Sequence, residues 1–202
     1  MLYKNRQKFE QVSVKVGIAF SKIPLTPNQW TVLSLPPALI ALYCLTQGNF
    51  LAAGAFFITS SFLDMVDGAV ARVTGKASKF GAYLDTIVDR YVEAIVLFGL
   101  LFVGLPEFYI PAYAWIFAYL FGAMMTTYAK AAAKEKEIFE RGQELKGGLL
   151  ERAERLIILF VGVIAAAFNP MWLTYTIAGL AVLANASALQ RMIIAKSAAR
   201  TG

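Results

Sequence analysis

The sequence contains no histidine, and its one cysteine, Cys44, sits inside an apolar run. Without imidazole the chain lacks the usual general base and the commonest transition-metal ligand. A lone cysteine excludes a disulfide framework and a thiolate metal site. Any acid–base chemistry or metal binding must therefore rest on carboxylates. Charge is also scarce, at 16% of residues, whereas 58% are hydrophobic and the mean hydropathy is +0.60. Several apolar runs approach the ~20 residues that cross a bilayer as a helix. The class expected is an all-α integral membrane protein. A cleavable signal peptide is not expected, because the first 23 residues are basic without a continuous apolar stretch.

Residues 1–23 combine Lys4, Arg6, Lys8, Lys15 and Lys22 with Val12, Val16, Ile18, Ala19 and Phe20. That mixture predicts an amphipathic helix lying on the membrane, its basic side toward lipid headgroups; a solvated terminus is the plainer alternative. PLTPN (24–28) then breaks the chain, since proline disfavours helix at the residue before it. Thr26 or Asn28 is suited to cap the next helix. Residues 24–202 read as one domain of six spans, at about 29–47, 50–73, 80–104, 109–135, 149–168 and 171–195. The turns at 47–49, 104–108 and 168–170 lie on one side. The N-terminus, the 74–79 turn, the 136–149 loop and the C-terminus lie on the other. This assignment puts all 19 Lys and Arg on or near the second side, which the positive-inside rule makes cytoplasmic. The expectation is a multi-pass protein of the cell membrane, with cytoplasmic termini and active site. The net charge of +6 is then a topology signal and not a nucleic-acid footprint.

Against this background stands DMVDGAVARVTGKASKFGAYLDTIVDR, residues 64–90. Asp64 and Asp67, three apart, lie near one face of the second span; Asp85 and Asp89, four apart, share a face of the third. The short 73–80 turn makes these spans antiparallel neighbours, so all four carboxylates can meet near the cytoplasmic end. Unpaired, each would cost ~2.5–3.5 kcal/mol at a helix centre, less toward the interface. Arg72, Lys76, Lys79 and Arg90 are at hand for simple ion pairs. Oxygen ligands without imidazole or thiolate also suit a hard divalent cation, Mg²⁺ or Mn²⁺, shared with substrate phosphates. Gly68, Ala71 and Gly81 clear space on the same faces, and the Arg72 fork suits a phosphate oxygen.

Asp64-x-x-Asp67-Gly68-x-x-Ala71-Arg72, followed by Gly81-x-x-x-Asp85-x-x-x-Asp89, resembles the signature of the CDP-alcohol phosphotransferases, with every position at the expected spacing. The resemblance extends to six spans, an interfacial N-terminal helix and a Thr26-Pro27-Asn28 turn. It implies transfer of a phosphatidyl-type group from a CDP-lipid, CDP-diacylglycerol or CDP-archaeol, to an alcohol with release of CMP. Asp64, Asp67 and Asp85 would hold the metal ions. Asn28, Asp67, Gly68, Ala71, Arg72 and Gly81 would bind the CDP-lipid. Asp89 would be the general base and also touch a metal. A homodimer is implied as well, the third and fourth spans being rich in small and aromatic residues (Gly99, Gly104, Tyr119, Gly122).

A second constellation bears on the acceptor. Lys130 ends the fourth span, Arg152 and Arg155 open the fifth, and Arg191 closes the sixth. Together they would make a pocket for a phosphomonoester; each also serves as an ordinary positive-inside residue, with Glu151 and Glu154 as available partners. Tyr128-Ala129-Lys130 and the ERAER segment resemble the branch that accepts inositol phosphate, the phosphatidylinositol-phosphate and archaetidylinositol-phosphate synthases. That makes inositol 3-phosphate the expected acceptor. Alanines at 131 and 132, where basic residues are usual, keep glycerol 3-phosphate and a CDP-inositol donor open. Two other classes compete. An intramembrane prenyltransferase leaves the Gly68/Ala71/Arg72 pattern unexplained. A non-enzymatic cation carrier predicts mid-membrane carboxylates and an internal repeat, and the sequence has neither.

Overall fold

The computed structural model describes residues 6–139 and 148–199. Lys4, the side chains of Arg6 and Lys8, and positions 140–147 of the expected loop lie outside the described residues. The described chain is all helical: α1 Arg6–Phe20, α2 Pro27–Leu33, α3 Leu35–Thr46, α4 Phe50–Val73, α5 Lys79–Leu100, α6 Ala112–Glu135, α7 Arg152–Ala166 and α8 Pro170–Ala198.

The expected first span is two helices joined at Ser34. Pro36 and Pro37 have no N–H to give to the carbonyls one turn back, so the ladder is interrupted there. The break is held from inside the protein. Ser34 Oγ donates to Thr31 O at 2.7 Å, and the fully buried Ser60 of α4 donates to Ser34 O at 2.7 Å. Thr26 starts α2 with a reciprocal capping box to Gln29. α5 stops at Leu100, before Gly104 adopts a positive φ of 66°, and Pro111 at the N-cap delays α6 to Ala112. α7 begins at a Glu151/Glu154 capping box.

Among the described residues, three helical stretches are long and apolar enough to cross a bilayer: 27–46 (α2 with α3), 50–73 (α4) and 170–198 (α8). α5 carries Asp85, Asp89, Arg90 and Glu93 within its first fifteen residues, and α7 has only 15 residues. The chain is a membrane protein by these apolar helices.

α4 is the hub, touching α1, α2, α3, α5 and α7, while α6 packs along α8. The main core gathers Leu45, Phe57, Leu97, Leu100, Tyr119, Leu159, Leu173, Ile177 and Leu180, all 1% exposed or less. α1 docks on α4 where Gly17 faces Ala69: a Cβ there would lie 2.6 Å from Ala69 O. Phe20 then meets Trp30 edge-on at 5.5 Å. Elsewhere on α1, Val12, Val14 and Ile18 remain about half exposed (54%, 48% and 51%).

Two features shape the site. The 74–79 turn is as short as expected, with Gly75 at φ 65° and Lys76 N–H returning to Ala71 O at 3.0 Å. Yet α4 and α5 make few direct contacts, and α2 packs against both. The two aspartate helices diverge into a cleft roofed by α2.

Candidate active site

The cleft has a volume of about 350 Å³, within the range of small-molecule sites. Its walls include Asn28 and Thr31 from α2, Asp64, Asp67, Gly68, Ala71 and Arg72 from α4, Ser78 at the N-cap of α5, and Gly81 and Asp85 from α5 itself. Every residue expected to bind a CDP-lipid is therefore at this one surface. Gly81 explains how closely α5 can come. A Cβ there would lie 3.1 Å from Asn28 Oδ1 and 3.1 Å from Ser78 Oγ, the oxygen that caps α5 through Gly81 N–H. Gly68 does less: its nearest neighbour would be Arg72 Nη1 at 3.4 Å, an ordinary contact.

At the back of the cleft Asp64, Asp67 and Asp85 each offer an oxygen, all within 4.8 Å of one another. Asp67 is 5% exposed, and its Oδ2, like Asp64 Oδ1, is buried with no hydrogen-bond partner. A buried carboxylate oxygen without a donor is costly, and a hard cation removes that cost. An octahedral ion with bonds of ~2.1 Å sets its ligands ~3–4 Å apart, so the triad closes on one with small side-chain shifts. The residues fit a divalent cation.

Asp89 adjoins this triad, its carboxyl beside that of Asp64. Its Oδ1 is 2.6 Å from Arg152 Nη1, which also reaches Asp64 Oδ2 at 3.2 Å. Arg90 Nη2 lies 3.9 Å from the other oxygen, Oδ2. One arginine from α7 thus ties α4 to α5 directly beside the acidic triad.

Of the four cations expected to meet an acceptor, the structure brings together Arg155 and Arg191, on Thr126 of α6. Arg155 Nη1 lies 3.4 Å from Thr126 Oγ1, and Arg191 Nη1 donates to Thr126 O. Lys130 follows one turn later on α6, exposed. Arg152 belongs to the aspartates instead.

Sequence reasoning passed over Glu93. It is fully buried and accepts from Arg90 Nη1 at 2.8 Å and Tyr119 OH at 3.0 Å, with Arg155 Nε at 3.6 Å. The signal was there: Asp85, Asp89 and Glu93 repeat every four residues along one face of α5. Thr31 and Ser78 carried no such signal, since a hydroxyl in a helix or turn is commonplace.

A family profile described as CDP-alcohol phosphatidyltransferase matches residues 24–189. The chain belongs to the CDP-alcohol phosphatidyltransferase family. Among its relatives is the archaetidylinositol phosphate synthase of Pyrococcus horikoshii, 35% identical over 202 residues and covering the whole of both chains. The phosphatidylinositol phosphate synthase of Corynebacterium glutamicum is 34% identical over 167 residues, 80% of this chain and 74% of that one. The crystal structure of the phosphatidylinositol phosphate synthase of Mycobacterium tuberculosis with CDP-DAG bound superposes with a TM-score of 0.78. Identity is 28%, covering 92% of this chain and 94% of the other. The same enzyme in complex with manganese and citrate gives 0.79 at 28% identity, over 92% and 89%. A CDP-alcohol phosphatidyltransferase whose acidic triad fits a divalent cation is a metal-dependent transferase of phospholipid synthesis.

Proposed function

We propose that this transferase moves a phosphatidyl-type group from CDP-diacylglycerol or CDP-archaeol to inositol 3-phosphate, releasing CMP. The observation that carries the reading is the triad of Asp64, Asp67 and Asp85, with two buried unpartnered oxygens, opening into the Asn28–Gly68–Arg72–Gly81 cleft. Relatives named as inositol-phosphate-type synthases support the choice of acceptor.

In this reading Asp64, Asp67 and Asp85 hold Mg²⁺ or Mn²⁺, which neutralises charge developing on the diphosphate. Arg72 gives its fork to a diphosphate oxygen, while Gly68, Ala71 and Gly81 let the cytidine end approach the helix backbones. Asp89 takes the proton of the attacking hydroxyl. Arg152 fixes its Oδ1, so Oδ2 is the oxygen that acts as base. The acceptor oxygen bonds to the lipid-bearing phosphorus, the bond from that phosphorus to the CMP oxygen breaks, and CMP leaves. Arg155 and Arg191, with Lys130, bind the acceptor's phosphate.

The topology belongs to the same proposal. Residues 24–202 make six spans of one domain, and 1–23 lie at the interface as a juxtamembrane helix. Arg72, Lys76 and Lys79, at the aspartate end of α4 and α5, favour a cytoplasmic active site under the positive-inside rule. Two copies side by side in the membrane complete the arrangement that the family resemblance implies.

The test is an assay of the purified protein with CDP-diacylglycerol or CDP-archaeol and Mg²⁺, following CMP against inositol 3-phosphate, glycerol 3-phosphate and free inositol. Inositol 3-phosphate should give the fastest release. Preference for glycerol 3-phosphate would replace the acceptor. Pyrophosphate release from a prenyl donor without CMP from any CDP-lipid would overturn the reading.

A further inference from the structure

Glu93 is 0% exposed, deep among α5, α6 and α7, and is not one of the residues that line the cleft. A buried carboxylate needs a reason. Its neighbours supply one, because each comes from a different helix. Arg90, on its own α5, gives Nη1 at 2.8 Å; Tyr119 of α6 gives its hydroxyl at 3.0 Å; Arg155 of α7 brings Nε to 3.6 Å. Arg155, 2% exposed, is in turn directed at Thr126, where Arg191 also converges.

We infer that Glu93 is a positioning residue for the acceptor site, a buried counter-charge that fixes the Arg155 guanidinium beside Arg191. The inference rests on the acceptor reading above and deepens it. Two guanidiniums, Arg90 and Arg155, share this one carboxylate, so the pair keeps a surplus positive charge. Glu93 engages Arg155 from its Nε side, and the Nη edge is aimed at Thr126, the point where Arg191 also arrives. Without the carboxylate, Arg90 and Arg155 repel one another in a dry environment, and Arg155 turns away from Thr126 toward whatever carboxylate it can reach. Arg90 lies 3.9 Å from Asp89 Oδ2 and is likewise steadied by Glu93, so the base and the acceptor cations are registered by the same group. Tyr119 closes the remaining side and ties the cluster to α6.

The experiment uses the full chain in lipid nanodiscs with CDP-diacylglycerol, Mg²⁺ and inositol 3-phosphate, and measures both KM values for wild type, Glu93→Gln, Tyr119→Phe and Arg155→Ala. Glu93→Gln keeps the shape and removes the charge. It should raise the KM for inositol 3-phosphate about tenfold while that for the CDP-lipid stays within about twofold, as misplacement of a binding group predicts. Tyr119→Phe loses one hydrogen bond to Glu93 and should shift the same KM about threefold. If Glu93→Gln does not fold, the Tyr119→Phe result decides. A merely structural role would leave the KM values of the folded enzyme unchanged or move both alike, and either result overturns the inference. Should Arg155→Ala raise the acceptor KM while neither other variant does, the Glu93 proposal alone falls. Should Arg155→Ala leave that KM unchanged, the acceptor reading falls and takes this one with it.

Discussion

Arg152 of α7 sets its Nη1 2.6 Å from Asp89 Oδ1 on α5, and the same nitrogen lies 3.2 Å from Asp64 Oδ2 on α4. A single cation therefore touches both the proposed base and one of the proposed metal ligands, and its charge acts on the two in opposite ways. It orients Asp89, but it competes with a bound cation for Asp64. Arg152→Ala should lower kcat about tenfold or more through loss of orientation, and should also lower the Mg²⁺ concentration needed for half-maximal rate. Metal titrations of activity for wild type and variant check both halves; a raised metal requirement would contradict the competition.

Asp89→Asn keeps the size of the side chain and removes the basic oxygen. General-base assistance is worth ~10²–10⁴-fold, so kcat should fall by about that factor. CDP-lipid binding in the presence of Mg²⁺ should persist, because the triad of Asp64, Asp67 and Asp85 does not include Asp89. Equilibrium binding of the CDP-lipid beside a turnover assay separates the two effects. Near-wild-type turnover would remove Asp89 from the role of base.

Much of this centre was legible in the sequence. Spacings of three and four residues, set on either side of a short turn, bring Asp64, Asp67 and Asp85 together because helical periodicity and an antiparallel return leave little else for them to do. Periodicity says less about Arg152 and Arg155. Three residues apart, they share a helix face only loosely, and long side chains magnify the difference. Arg152 reaches Asp89 and Asp64, while Arg155 turns inward to Glu93 and Thr126. The break at Ser34 was written in Pro36 and Pro37, but the apolar run across it concealed the interruption. The divergence of α4 from α5 had no local signal, since it depends on α2 packing against both. Glu93 looked like one more acid on a helix, and only its three partners from three helices give it a role.

Metal dependence stems from the orphaned oxygens of the triad. Asp67→Asn replaces the most buried of its carboxylates, 5% exposed, by an amide that is a poor ligand for a hard cation. Chelation with EDTA should abolish CMP release from the wild type, and Mn²⁺ or Mg²⁺ should restore it. Asp67→Asn should stay inactive at any metal concentration. In a thermal unfolding assay Mn²⁺ should raise the Tm of the wild type by mass action, since a ligand that binds only the folded chain stabilises it. The same addition should leave the variant unmoved. A variant stabilised by Mn²⁺ as strongly as the wild type would place the cation elsewhere.

Gly81 gives a test confined to the donor. Alanine at this position would bring a methyl group to 3.1 Å from both Asn28 Oδ1 and Ser78 Oγ, closer than most real contacts of that kind. Ser78 caps α5 through Gly81 N–H at 3.0 Å, so it resists displacement, and Asn28, on the α2 roof of the cleft, gives way instead. Helix propensity favours alanine over glycine by ~1 kcal/mol, so α5 itself should not suffer. Gly81→Ala should therefore raise the KM for the CDP-lipid about fivefold, the effect of one displaced polar contact, and leave the KM for the phosphorylated acceptor unchanged. Paired saturation curves for the two substrates read this directly. An effect on the acceptor alone would mean that the cleft beneath α2 receives the acceptor and not the cytidine diphosphate.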